Sequence, residues 1–123
     1  MVIVAALLLF IIAAAVLQNL YVSGTTEKLD EKLDKVKQAL QKEDFVTARN
    51  AADDFCALWE ENKDIFEALF EHSEVDEISA NAKSIQSLCH SGEKHQALSF
   101  VASEVFYINH IREIDTLGWE NVF

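Results

Sequence analysis

Residues 44–69, DFVTARNAADDFCALWEENKDIFEAL, place Phe45, Ala48, Ala52, Phe55, Trp59, Asn62, Phe66 and Leu69 at alternating steps of three and four. That alternation holds one stripe of a 3.6-residue helix against a partner, so the stretch predicts a helix with a heptad seam along its whole length. Asp44 stands where a side-chain oxygen caps the first turn. Ala51, Leu58 and Ile65 widen the stripe, which suits a helix packed against more than one neighbour.

The same periodicity recurs on either side. Upstream, Leu29, Leu33, Val36 and Leu40 mark one face of a helix over residues 26–42. Downstream, Val75, Ile78, Ala82, Ile85 and Cys89 mark a third helix, which ends at HSGEK with Gly92 free to take the left-handed conformation. A fourth runs over residues 93–116 with Ala97, Val101, Val105 and Ile108 as its core stripe. Its Phe100, Phe106, Tyr107, Ile111 and Ile114 spread apolar surface around other faces, a candidate interaction surface. A shift of 49 residues pairs Leu29 with Ile78, Val36 with Ile85, Ala48 with Ala97, Ala52 with Val101, Cys56 with Val105 and Trp59 with Ile108. The echo points to two similar αα-hairpins. With no proline and three glycines, nothing in the composition breaks these helices. The expected fold is all-α: a long N-terminal hydrophobic helix followed by an antiparallel helical bundle of two αα-hairpins.

That N-terminal helix is MVIVAALLLFIIAAAVLQNLYVSG, residues 1–24, without a charged side chain. Residues 1–22 span about 33 Å as a helix, the thickness of a bilayer's hydrocarbon layer. Gln18 and Asn19 fall near one end, and Tyr21 suits the interfacial belt. Three uses compete: a signal anchor, a signal peptide cut near Ala13–Ala15, and a stalk that packs against copies of itself. Small residues at Ala5, Ala6, Ala13, Ala14 and Ala15 allow close helix approach for the last of these. The helix resembles the stalk of type IV pilin-like proteins, although Ala5 stands where that pattern expects a glutamate. The SGTT at residues 23–26 reads as flexible, and the hydrophobic helix either continues into the next one or hinges at Gly24. The expected division is therefore a transmembrane or stalk helix at 1–24 and an acidic four-helix soluble domain at 25–123.

All of the formal net charge of -11 lies in that second part, where every Asp, Glu, Lys and Arg occurs. Such acidity argues against nucleic acid as a partner and against an anionic membrane surface. It leaves membrane lipid, reached through the N-terminal helix, and a protein partner or further copies of the chain.

Chemistry-bearing residues are few. His72, Glu74, Asp76 and Glu77 cluster in HSEVDEI, but Ser73 followed by Asp76 before an apolar run reads as a capping arrangement, so no metal site is expected. None of the four histidines follows a glutamate by three positions, the spacing of di-iron bundles. His110 and Glu113 give only the reverse order, and Glu60, Asp64, Glu67 and Glu71 form a solvated stripe. No phosphate loop, zinc pair or calcium loop occurs. The reading is non-catalytic, with no cofactor. Cys56 and Cys89 lie symmetrically about residues 72–73, which puts them at one height in an antiparallel pair. A disulfide between them and two buried thiols both remain open.

EKLDEKLDKVKQALQKEDFVTARNAADDFCALWEENKDIF together with FEHSEVDEISANAKSIQSL, behind a short anchor, resembles a family of small membrane-anchored all-helical proteins of unknown function from Clostridia-like Firmicutes. The resemblance implies an anchored helical domain on the far side of the cell membrane, with no activity attached. Family members usually begin with lysines, which this chain lacks. Location in a single-pass cell membrane with the soluble domain extracytoplasmic is expected, a cell-surface filament being the alternative.

Overall fold

The computed structural model describes residues 1–122, with side chains described through Gly118; Phe123, the last residue of the expected soluble domain, lies outside the described residues. Four helices follow one another: α1 over Val2–Gln41, α2 over Phe45–Leu69, α3 over His72–His90 and α4 over Lys94–Val122. Each packs against its neighbours in sequence, and α4 closes the ring against α1. The result is an up-down bundle of two hairpins, all-α as the periodicity predicts.

The core is the expected one for most positions. Leu29, Leu33, Val36 and Leu40 of α1 are buried, as are Ala48, Ala52, Phe55, Trp59 and Phe66 of α2 and the whole α3 ladder from Val75 to Cys89. Phe66 is its aromatic hub, with ring centroids 5.4 Å from Trp59, 5.7 Å from Phe70 and 5.9 Å from Tyr21. These separations suit tilted aromatic contacts. On α4 the stripe differs from expectation. Ala97, Val101, Glu104, Ile108 and Ile111 form the buried ladder, while Val105 sits at its margin.

The two hairpins share one turn. Around Glu43, amides of Lys42, Glu43 and Asp44 reach the carbonyls of Gln38, Leu40 and Ala39. Exactly 49 residues later, amides of Ser91, Gly92 and Glu93 reach those of Ser87, Cys89 and Leu88. Glu43 (φ 58°) and Gly92 (φ 73°) both adopt the left-handed conformation that reverses the chain at a helix end. Asp44 caps α2, accepting from the Thr47 amide at 3.2 Å and from the Thr47 hydroxyl at 2.6 Å.

Two boundaries depart from the sequence reading. Ser23–Thr26 are helical rather than flexible, so α1 runs unbroken through Gly24 for 40 residues, about 60 Å. Packing overrides weak propensity here: Val22 is fully buried, Thr25 and Thr26 are buried, and the Thr26 hydroxyl donates to the Val22 carbonyl at 2.7 Å. The packed bundle therefore includes residues N-terminal to 25. The start of α3 also shifts. Its N-cap is Glu71, which makes no side-chain capping bond, and His72 and Ser73 lie inside the first turn. The proposed Ser73 cap does not form.

Candidate functional site

α1 divides into two environments without a break in the helix. From Met1 to Ile11 every side chain is exposed, and Leu17 and Leu20 remain well over half exposed. An 18-residue window of this segment has mean hydropathy 2.6, and none of its residues is buried by the rest of the chain. Ala5, Ala6, Ala13 and Ala14 are exposed along this free segment, whereas Ala15 is half-buried where the helix meets the bundle.

That meeting point is polar. Gln18 Nε2 and Asn19 Nδ2 donate to the two carboxylate oxygens of Asp115 on α4, both at 3.0 Å. Tyr21 does not stand free for an interfacial belt; its hydroxyl donates to Asn62 Oδ1 at 2.6 Å. One turn further, Arg112 ties α4 to α1. Its Nε donates to Thr26 Oγ1 at 3.0 Å and its Nη2 to Asp30 Oδ2 at 2.7 Å, with Nη1 on Asn109 at 3.2 Å. A planar fork held by three acceptors fixes orientation better than a single ion pair. The free segment is thus joined rigidly to the bundle.

The apolar residues expected to form a surface on α4 are dispersed. Ile111 is fully buried in the core, because it continues the three-four ladder from Ile108, and so belongs to no outer surface. Tyr107 packs partly against the core, while Phe100 and Ile114 are each 36% exposed. Phe106 is 65% exposed, its ring stacked on His110 at 6.1 Å, and His110 Nε2 pairs with Glu74 at 3.0 Å.

Cys56 and Cys89 are free thiols. The α2–α3 turn is centred on residues 70–71, not 72–73, and the register changes accordingly. Trp59 Nε1 donates to Ser79 Oγ at 2.9 Å and Cys56 Sγ to the Ala82 carbonyl at 3.3 Å. Cys56 therefore meets α3 at Ala82, seven residues before Cys89, and the two thiols are not joined. Burial, with the Asp53 carboxylate adding to it, pushes both thiols up to about 11. Thiols in that state are poor nucleophiles at neutral pH.

Other titratable groups make ordinary surface pairs. Asp53 accepts from Gln86 at 2.8 Å and pairs with His90 at 2.8 Å, and these bonds hold its carboxyl below the usual range. Of the acidic stripe, Glu67 pairs loosely with Lys63 at 3.9 Å, while Glu60, Asp64 and Glu71 are exposed. Among the described residues, no group of three or more His, Cys, Asp or Glu side chains is arranged to hold a metal.

Glu104 is the exception that sequence reasoning missed. It is fully buried, and neither carboxylate oxygen has a hydrogen-bond partner. Burial raises its carboxyl to about 9, and the charge of Glu77 acts in the same direction. The Asn81 amide opposes that shift, but donates to Ser103 Oγ at 3.1 Å instead of to the carboxylate. The signal was present: 97, 101, 104, 108 and 111 is the unbroken ladder, and Glu104 lies 49 residues after the buried Phe55.

Residues 16–122 match the model of a family described as a domain of unknown function, DUF4363, and the chain belongs to that family. The match begins close to where α1 enters the bundle. Neither the curated proteins nor the solved structures yield a match to the chain.

Proposed function

We propose that this DUF4363 chain is a non-catalytic, membrane-anchored helical interaction module, with the free part of α1 crossing the membrane and the acidic bundle outside the cytoplasm. One observation carries the reading. An uncharged, uncovered apolar segment continues as the same helix into a packed, strongly acidic bundle, joined by the Gln18, Asn19 and Asp115 bonds. In water, so much bare apolar surface on a small chain is unfavourable, whereas lipid accepts it, since the helix satisfies its own backbone. A net charge of -11 favours the extracytoplasmic side, because the cytoplasmic leaflet carries a negative surface potential. The Clostridia-like origin implied by the sequence resemblance fits a cell with one membrane and an exposed outer face. Raised thiols and histidines engaged with surface carboxylates support a binding role over catalysis.

A second reading is favoured by the unbroken course of α1. A helix whose N-terminal part is bare and whose C-terminal part is packed into a globular unit has the form of a pilin-like subunit, in which bare segments would bundle through Ala5, Ala6, Ala13 and Ala14 while acidic domains decorate the outside.

The test is fractionation of native cells combined with proteolysis of spheroplasts. Anchoring predicts that the chain stays in the membrane pellet after alkaline carbonate and that added protease removes the bundle. Release by carbonate, or a bundle protected until the membrane is lysed, contradicts it. Filaments containing the chain in sheared surface material favour the second reading.

A further inference from the structure

Uncovered apolar side chains of the bundle are distributed unevenly. Leu20, Ile65, Leu69, Ile114 and Leu117 are 36% to 63% exposed, and all lie toward the end from which the free part of α1 emerges. Away from that end the exposed large apolar residues are isolated: Phe106 midway along α4, and Val46 and Phe100 toward the opposite turns. At the emerging end an open cleft of about 350 Å³ lies between the base of α1 and the α2–α3 turn. Ala15, Leu69, Phe70 and Ile114 give it apolar walls, and Gln18 and Asp115 add a polar edge. α4 does not stop at Asp115. It continues as a helix to Val122, running antiparallel beside α1 in the direction of the bare segment.

We propose that this end of the bundle is a lipid-contact footing, seated in the headgroup layer of a zwitterionic bilayer. Leu69, Ile114 and Leu117 touch acyl chains there, and the cluster of Gln18, Asn19 and Asp115 lies at headgroup depth. The proposal rests on the anchoring reading above and adds a second membrane contact. Leu117 lies beyond the polar cluster on the side of the bare α1 segment, so the solvent of that segment is also the solvent of Leu117. The polar cluster suits the boundary, because Gln18 and Asn19 already give their amide protons to Asp115 and so present less unsatisfied polarity to lipid. Charge selects the lipid. Glu71, Glu113 and Asp115 lie toward this end, with Glu74 paired to His110 and Arg112 held by Asp30, so the charge left toward the surface is acidic and anionic headgroups would repel it. Such a footing fixes the bundle upright against the surface instead of leaving it to swing on its anchor.

The experiment places single nitroxides on the full chain in phosphatidylcholine discs, through Leu69→Cys, Leu117→Cys, Phe10→Cys and Val46→Cys. Cys89 is buried but Cys56 is only half-buried, so both are first replaced, through Cys56→Ser and Cys89→Ala. Collision with oxygen, which concentrates in lipid, is compared with collision with a water-soluble nickel chelate. The footing predicts that labels at 69 and 117 share the lipid signature of the label at 10, with the oxygen-to-nickel ratio several-fold above that of the aqueous label at 46. Circular dichroism of each labelled chain checks that the bundle remains folded, and Ile114→Cys provides a further site if one fails. Aqueous values at 69, 114 and 117 with lipid values at 10 overturn the footing and leave the anchor standing. Aqueous values at 10 overturn both. Shielding from both reagents with dipolar broadening at 69 and 117 means that a second copy covers this face, which also overturns the lipid assignment. A ratio at 117 that falls when phosphatidylglycerol replaces the zwitterionic lipid supports the charge argument; an unchanged or higher ratio contradicts it.

Discussion

At the scale of single residues, Glu104 shows how a heptad ladder and side-chain chemistry can conflict. The ladder requires position 104 in the core, and the equivalent position of the first hairpin holds Phe55, yet the chain places a carboxyl there without a partner. A group with its folded value raised to about 9 from an ordinary 4.5 contributes its full stability below about pH 4.5, where both states are protonated. Between those values the unfolded chain loses the proton and the folded chain keeps it, so stability falls as pH rises, up to about pH 9. Glu104→Leu removes that slope and stabilises the bundle by about 1–3 kcal/mol at pH 8, since a buried unsatisfied polar group costs about that much. Urea unfolding of both chains between pH 5 and pH 9 measures it, and parallel pH profiles would count against a neutral buried Glu104. Charge is what concealed this residue in the sequence: a glutamate between Val101 and Val105 reads as solvent-facing unless the ladder is followed strictly.

Elements were legible in their existence and faces, and less so in their ends. The ladders of α1 and α3 fall where three-four spacing puts them, because burial of those stripes is what forms the helices, whereas the α2 seam is half-buried at Phe45 and Asn62 and exposed at Leu69. The ends failed where local signals and packing disagreed. Ser73 and Asp76 look like a cap, but α3 starts earlier, and the register that results sets Cys56 against Ala82 and not against Cys89. Gly24 looks like a hinge, but Val22, Thr26 and the Arg112 fork hold α1 in register through it. The two glycines separate these cases. A Cβ at Gly24 meets nothing within 4 Å in a helical backbone, so Gly24→Ala raises stability by about 0.5–1 kcal/mol. Gly92 has open space too but sits at φ 73°, so Gly92→Ala lowers stability by about 1 kcal/mol. Denaturant midpoints of the two variants check both signs; destabilisation by Gly24→Ala would show that α1 bends there.

For the whole molecule, the 49-residue echo in the sequence is a structural repeat, with the same turn hydrogen bonds and the same left-handed residue in each hairpin. What the repeat lacks in its second half is the bare apolar extension of α1, and that asymmetry gives the bundle one end unlike the other. The candidate anchor was plain from its composition. Its rigid union with the bundle was not, because Gln18, Asn19 and Asp115 are 96 to 97 residues apart and only the closed ring of helices brings them together. The central claim is that one continuous helix passes from lipid into the bundle. Residue-resolved amide exchange of the full chain in bilayer discs tests it most directly. A continuous helix gives residues 2–17 protection as strong as that of the core ladders, continuing through Ser23–Thr26 without a gap. Rapid exchange across Ser23–Thr26, or throughout residues 2–17 in the presence of lipid, would contradict it.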